Sequence, residues 1–367
     1  MKILTYLRHN MDLALAMVFA LLTSLLVPFD IKLMAGSINY SLLLLLLCLM
    51  GIVAGMRESG LFTCFCSRFF RGEISSRGLG RFFIFSCFFS SMAITNDVAL
   101  IVFVPLAISV LTEARCVRLL IPVVTWQTIA ANMGSMLTPI GNPQNLFIYS
   151  HYHLSLGEFL GYTAPIVAIS GLAIYLSTFF LEDKKVVLNA PQQEKLPRGR
   201  LVFLGILFLI CLACVLRLIP AWLLALLVLP ALGLRSPHLF KAVDYKLLAL
   251  FLFLFVGVGN LTRLESVSHF ATQMLAGNEF LISLALSQVL SNVPTTVMLA
   301  PYTGAVRELL LGVNIGGLGT VIASMASVIS LKAYMGTRHS LTRQYIASFT
   351  SANAALLALL LIIYAIS

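Results

Sequence analysis

The chain has 367 residues, 60% of them hydrophobic and 10% charged, with a mean hydropathy of +0.99 and a net charge of +10. Such usage lies far outside that of a soluble globular domain. The basic excess falls in short segments between apolar runs, where it orients a membrane protein, so a nucleic-acid partner is not expected. The seven cysteines are odd in number, and Cys48, Cys87, Cys211 and Cys214 sit inside apolar stretches, so no disulfide framework is indicated.

In chain order, Lys2, Arg8 and His9 precede an apolar run at 12–28, and no small-residue cleavage site follows "LLVPFD". The run is therefore expected to be a first span and not a signal peptide. Further spans are expected near 40–56, 119–147, 159–181, 201–217, 221–233, 247–262, 309–331 and 344–366. The segment 60–72, "GLFTCFCSRFFRG", mixes aromatics with arginines as an interfacial helix does. The loop 182–200, "EDKKVVLNAPQQEKLPRGR", reads as a solvated cytoplasmic linker.

Two segments, 82–111 and 279–303, are decided by charge. If each enters and leaves on one side as a re-entrant hairpin, all Lys and Arg except Lys32, Arg217, Arg263 and Arg307 fall on the cytoplasmic side. Reading 82–111 as a full crossing instead puts Arg115, Arg118 and the basic loop 182–200 outside, against the positive-inside bias. The hairpin reading wins. Irregular backbone at membrane depth persists only where protein or a water-filled cavity covers it, so each hairpin tip is a candidate site.

An internal repeat supports this arrangement. At an offset of 196, "SMAITNDVALIVFVP" (91–105) aligns with "SQVLSNVPTTVMLAP" (287–301), pairing Ser91 with Ser287, Thr95 with Ser291, Asn96 with Asn292 and Pro105 with Pro301. At an offset of 182, "NMGSMLTPIGNPQN" (132–145) aligns with "NIGGLGTVIASMAS" (314–327), pairing Asn132/Asn314, Gly134/Gly316, Thr138/Thr320 and Asn142/Ser324. Upstream, "NYSLL" (39–43) pairs with "DYKLL" (244–248). The halves, 36–181 and 201–367 with an extra span, then cross the membrane in opposite senses, and paired Gly/Pro-interrupted segments in inverted halves point to a transport site near the midplane.

At the tips, hydroxyls, Asn amides and free backbone supply carbonyl oxygens for a small cation, and half-helix N-termini supply N–H groups for an anion. Interhelical hydrogen bonding is the plainer role for such residues in a bundle, but duplication beside helix breaks favours a site. Asp97 is unpaired between the halves, its mate being Val293. A carboxylate at this depth costs about 2.5–3.5 kcal/mol and usually marks an ion or proton pathway. Cys211 and Cys214 read as a packed helix face. His151 and His153 lack a third metal ligand. No H-E-x-x-H, nucleophile elbow or paired acidic motif occurs in the spans, so no enzyme activity is expected.

With "TNDVALIVFVPLA" and "SNVPTTVML", each followed by a Gly/Thr/Asn-rich break, the chain resembles the ion transporter superfamily of divalent anion:sodium symporters, citrate transporters and arsenite-efflux permeases, over roughly residues 36–335. It looks similar to small bacterial permeases of that superfamily. The resemblance implies an all-α inverted-repeat secondary transporter with about nine spans, two re-entrant hairpins and two broken helices. It also implies a homodimer and an elevator-like movement. Carried over, the substrate contacts are Thr95, Asn96, Ser291, Asn292, Thr295, Thr320 and Ser324, and the coupling-ion contacts are Asn96, Gly134, Thr138, Asn142 and Asn292, to which the depth of its carboxylate adds Asp97. Asp97 stands where the dicarboxylate motif has Thr, and Val293-Pro294 breaks the second motif.

The expectation is a secondary transporter of a small anion such as citrate or a dicarboxylate, coupled to Na+ or H+, with no other cofactor and no metal beyond a Na+ ion. The alternatives are arsenite or antimonite efflux and Na+/H+ antiport on the same fold. The expected location is the bacterial inner membrane, multi-pass, with the N-terminus cytoplasmic.

Overall fold

A computed structural model describes residues 11–61, 64, 72–188, 197–338 and 340–366. The first half runs α1 (Met11–Leu26), α2 (Ile31–Gly36), α3 (Tyr40–Glu58), β1 (Gly72–Ser75), α4 (Ser76–Ala93), α5 (Asn96–Glu113), α6 (Leu120–Ser135), α7 (Pro143–His151), α8 (Leu156–Ser177) and β2 (Lys185–Leu188). The second runs α9 (Arg198–Val215), α10 (Ala221–Arg235), α11 (Tyr245–Leu261), α12 (Glu265–Leu275), α13 (Glu279–Leu290), α14 (Asn292–Leu299), α15 (Val306–Ile315), α16 (Met325–Met335) and α17 (Thr342–Ile366).

The apolar runs become helices where a short polar side chain can accept first-turn N–H groups that have no partner within the helix. Asn39 accepts from Leu42 N and opens α3, and Asp244 accepts from Leu247 N and opens α11. These are corresponding positions of "NYSLL" and "DYKLL". By length and apolarity α3, α5, α8 with its 3-10 extension to Phe180, α9 and α17 can each cross a bilayer, and the pair α11 and α12, bent by 104°, adds a sixth. Helices α1, α10 and α13 are shorter and apolar. The protein is an all-α polytopic membrane protein, with one two-stranded ribbon as its β-structure among the described residues.

Both segments read as hairpins turn back on themselves. Helix α4 ends at Ala93, Ile94 and Thr95 stay extended, and α5 starts at Asn96 and packs along α4. Helix α5 is nonetheless 18 residues long and apolar enough to span by itself, which the hairpin reading did not anticipate. The second turn is tighter. Ser291 alone separates α13 from α14, at φ 68° and ψ 162°. The two broken spans are also present, as α6 and α7 around residues 136–142 and α15 and α16 around 316–324.

Close packing fixes the hairpins against the broken spans. A Cβ on Gly134 of α6 would collide with the Phe88 carbonyl oxygen and Ser91 Oγ of α4, and one on Gly316 would press on Leu284 and Ser287 of α13. Small residues let membrane helices approach this closely. The halves then interlock. Helix α16 packs on α5 and α6, while α7 packs on α14. One buried apolar cluster joins α4, α5, α6, α8, α16 and α17, and a second joins α3, α7, α9, α10, α11 and α14.

The loop 182–200 differs from the expected solvated linker. Lys185–Leu188 forms β2 and pairs antiparallel with β1, Glu73 opposite Val187 and Ile74 opposite Val186. Two consecutive β-branched valines favour an extended strand, and Ser76 secures its start by donating from Oγ to Glu182 O and accepting from Lys184 N. Residues 189–196, most of the interfacial segment 60–72, and Lys2, Arg8 and His9 lie outside the described residues.

Candidate functional site

The two hairpin tips and the two helix breaks meet, and the bonds that join them recur at repeat-related positions. Asn96 N donates to Gly141 O at 3.0 Å, and Asn292 N donates to Ala323 O at 3.0 Å. Thr138 Oγ1 donates to Met92 O at 2.5 Å, and Thr320 Oγ1 donates to Gln288 O at 3.0 Å. In each pair the partners are related by the offsets of 196 and 182 seen in the sequence. Each tip is thus pinned to the break in its own half by one backbone bond and one threonine hydroxyl.

Between the halves the correspondence continues. Ser324 Oγ donates to Asn132 Oδ1 at 3.0 Å, and Asn142 Nδ2 donates to Asn314 Oδ1 at 3.1 Å. Asn132 Nδ2 also donates to Gly317 O at 3.4 Å and Asn314 Nδ2 to Asn145 Oδ1 at 2.7 Å. Asn96 Nδ2 completes the first centre by donating to Asn132 Oδ1 at 3.2 Å. All six asparagines named so far at the centre, Asn96, Asn132, Asn142, Asn145, Asn292 and Asn314, are buried. Amides in such a setting must be paired, because an unsatisfied polar group in a low-dielectric interior is costly.

The break loops are shaped by their asparagines. Asn145 Nδ2 reaches the carbonyl oxygens of Ser135, Met136 and Thr138, and Asn142 caps α7 by accepting from Asn145 N. Carbonyls freed at the end of α6 are gathered onto one amide, while Met136–Asn142 remains non-helical. In the second half Gln288 does the equivalent work, donating from Nε2 to Gly316 O and Leu318 O and accepting from Thr320 N.

Not every polar atom at the centre is engaged. Thr95 and Ser291 stand at the starts of α5 and α14 without capping them. Thr295 Oγ1 is fully buried and makes no hydrogen bond, and Ser327 Oγ is in the same condition. Asp97 lies in the first turn of α5, half-buried, with its N–H accepted by Asn96 Oδ1, while no hydrogen bond or ion pair among the described residues engages its carboxylate. Such a tip holds a negative charge near a helix N-terminus, where the peptide dipoles favour it.

Of the expected site residues, Thr95, Asn96, Asp97, Gly134, Thr138, Asn142, Ser291, Asn292, Thr295, Thr320 and Ser324 all lie on the two tips, the two breaks or the helix ends that flank them. Their tasks differ. Gly134 is a packing contact, Thr138 and Thr320 tie breaks to hairpins, and Thr320 is exposed. Asn132, Asn145, Gln288 and Asn314 belong to the same network, and the second aligned block, which pairs Asn132 with Asn314 and Asn145 with Ser327, carries the sequence signal for three of them. Elsewhere, His151 stacks on Phe147 at 5.2 Å, and no group of three metal-ligating side chains occurs among the described residues.

The family profile described as citrate transporter matches residues 8–329. The chain is 32% identical over 321 residues to the inner membrane protein YbiR of Escherichia coli (strain K12), covering 84% of each chain. It is 36% identical over 256 residues to the uncharacterized transporter MJ0456 of Methanocaldococcus jannaschii, covering 69% of this chain and 70% of the other. The uncharacterized transporter MT2759 of Mycobacterium tuberculosis is 29% identical over 252 residues, 57% of this chain and 59% of its own. Paired hairpin tips, paired helix breaks and a family match over most of the sequence agree: this chain is a multi-pass membrane transporter of the citrate transporter family.

Proposed function

We propose that the protein is a secondary active transporter that moves a small anion, most simply a carboxylate such as citrate or a dicarboxylate, together with Na+ or H+. The observation that carries this reading is the meeting of the two tips with the two breaks, where Asp97 offers a free carboxylate and Thr295 an unpaired buried hydroxyl. Asp97, Asn96 and the 138–142 loop are assigned to the cation; Thr95, Ser291, Asn292 and Thr295 are assigned to the substrate. The order of events follows from charge. An anion approaching Asp97 is repelled until a cation or proton neutralises it, so ion binding precedes substrate binding. That precedence is what couples the two fluxes. The inverted orientation of the halves supplies the two alternating states.

A second reading rests on the same carboxylate. With Asp97 as the carrier, the protein exchanges a cation for protons or exports arsenite or antimonite. Uptake of radiolabelled citrate and succinate into proteoliposomes, with Na+ and proton gradients imposed separately, tests the first reading. Gradient-driven accumulation of either acid supports it. Absence of uptake, with metalloid resistance conferred on a sensitive host, supports the second.

A further inference from the structure

Two sets of helices are each tied together by polar side chains. In the first, Glu58 of α3 meets Arg200 of α9 and His238 beyond α10, Asp12 of α1 pairs with Lys246 of α11, and Asn260 of α11 donates to Ser24 of α1. The second, α4–α8 with α13–α16, is joined by the tips, the breaks and the asparagines between them, and Thr163 of α8 donates to Leu137 O. Where the sets meet, the seam is apolar. Phe147 of α7 lies 6.5 Å from Phe251 and 5.8 Å from Phe255 of α11, and Val293 and Val297 of α14 are buried in the same cluster. Apolar contact is non-directional, so such a seam can shift and stay packed.

Arg217 crosses from one set to the other with bonds that do not shift. It sits in the turn between α9 and α10, and its guanidinium donates to His153 O at 3.0 Å and to Tyr149 O at 2.9 Å, 5.0 Å from the Tyr149 ring centre. These oxygens lie at the C-terminal end of α7, where the last carbonyls lack helical partners and the peptide dipoles favour a cation. Hydrogen bonds tolerate only a narrow range of distance and angle, so a slide of one helical turn, about 5.4 Å, breaks both.

The helix that Arg217 grips leads straight to the site. Helix α7 has nine residues and is capped by Asn142 at the first break, so Arg217 holds one end of a rod whose other end, about 13 Å away, belongs to the site. Both partners hold unusual backbone, with φ 61° at Arg217 and 54° at His153, in the left-handed region that residues other than glycine seldom occupy. Strain of this kind persists where surrounding contacts over-determine it, and it clusters at switch regions.

We infer that Arg217 is a latch on the transport cycle. Its two bonds hold the helices that carry the tips and breaks in one position, and their release lets that set slide along α11. The latch rests on the transport reading above, since a protein with a single position needs none. A plain C-cap would act differently, because its loss loosens the end of α7 and leaves the two sets in place.

The test measures position without substrate. Spin labels are carried on p-acetylphenylalanine at Gly161 of α8 and Gly205 of α9, one in each set and each with open space for a side chain. Their separation is read by double electron–electron resonance on the full chain in nanodiscs. Arg217→Gln should enlarge a second, discrete distance at least about tenfold over the wild type, the factor that one hydrogen bond to a charged group supplies. Arg217→Lys, which keeps the charge, should fall between, and Arg235→Gln, which removes an arginine stacked on Phe203 within the first set, should match the wild type. An unchanged distribution in Arg217→Gln, or one broadened peak, overturns the latch. If Arg217→Gln does not fold, identical distributions in Arg217→Lys and the wild type overturn it equally. Uptake of radiolabelled citrate and succinate is read in parallel. A second distance without uptake supports the latch and counts against these acids as substrates, whereas uptake with an unchanged distance overturns the latch and leaves the substrate reading standing.

Discussion

Asn142 and Asn314 stand 172 positions apart in opposite halves of the chain, yet Asn142 Nδ2 donates to Asn314 Oδ1 at 3.1 Å, and their repeat-related counterparts Ser324 and Asn132 make the same bond at 3.0 Å. The centre is therefore clasped twice. Hydrogen bonds between membrane helices are worth about 0.6 kcal/mol on average and up to about 1.7 kcal/mol. A double-mutant cycle of Asn142→Ala and Asn314→Ala, read by thermal unfolding in detergent, should give a coupling of about 0.5–1.5 kcal/mol. Each single substitution should cost a similar amount, because each side chain makes two further bonds, Asn142 with Ser135 Oγ and Asn145 N and Asn314 with Asn145 Oδ1 and Leu310 O.

The positions in these bonds were visible in the sequence, while the bonds were not. Asn96/Asn292 and Thr138/Thr320 aligned because each half repeats its own local device, a tip and a break, within about fifty residues. The offset falls from 196 to 182 because the connection between tip and break is shorter in the second half. Asn132 and Asn314 also aligned, but their role depends on how the halves dock, which periodicity does not encode. Gln288 was harder still, since its mate Met92 contributes only a backbone carbonyl. Lys185–Leu188 is not legible as a strand because four residues in a charged segment give too few alternations to register, and its partner lies over one hundred residues earlier.

The two threonine ties should differ in weight. Thr138 Oγ1 reaches Met92 O from a half-buried position, whereas Thr320 is exposed and water can replace it at Gln288 O. Thr138→Val leaves a carbonyl without its donor and should cost about 1–2 kcal/mol; Thr320→Val should cost less than about 0.5 kcal/mol. Thermal unfolding of both variants checks the order. Equal losses would mean that the exposed tie is as dry as the buried one.

Ser291 occupies a region of backbone space that suits glycine, at φ 68° and ψ 162°. Holding a non-glycine residue there costs about 1–3 kcal/mol. Ser291→Gly should therefore raise stability, by up to about 1 kcal/mol after the added entropy of the unfolded chain is deducted. Ser291→Ala keeps the strain and should leave stability near wild type. Both remove the hydroxyl assigned to substrate, so both should raise the substrate KM in proteoliposomes. A KM rise in only one of them would assign the effect to backbone shape instead of the hydroxyl.

Asp97 carries the coupling assignment, and its environment makes the sign of the outcome definite. The carboxylate has no partner among the described residues, so in the membrane its charge is uncompensated until a cation or proton arrives. Asp97→Asn keeps the shape and the N–H accepted by Asn96 while removing the charge. It should therefore fold at least as stably as the wild type. It should also lose gradient-driven accumulation by about 100-fold or more, a differential of about 3 kcal/mol, similar to the cost of the unneutralised charge. Substrate equilibration down its own gradient should survive, since the repulsion is gone. In the wild type, if the proton is the coupling ion, uptake at fixed membrane potential should fall as pH rises on the binding side. If Na+ is the ion, added Na+ should restore uptake at high pH, and neither dependence should remain in Asp97→Asn. Accumulation by Asp97→Asn at the wild-type level would transfer the coupling role to the asparagine and carbonyl oxygens of the 138–142 loop.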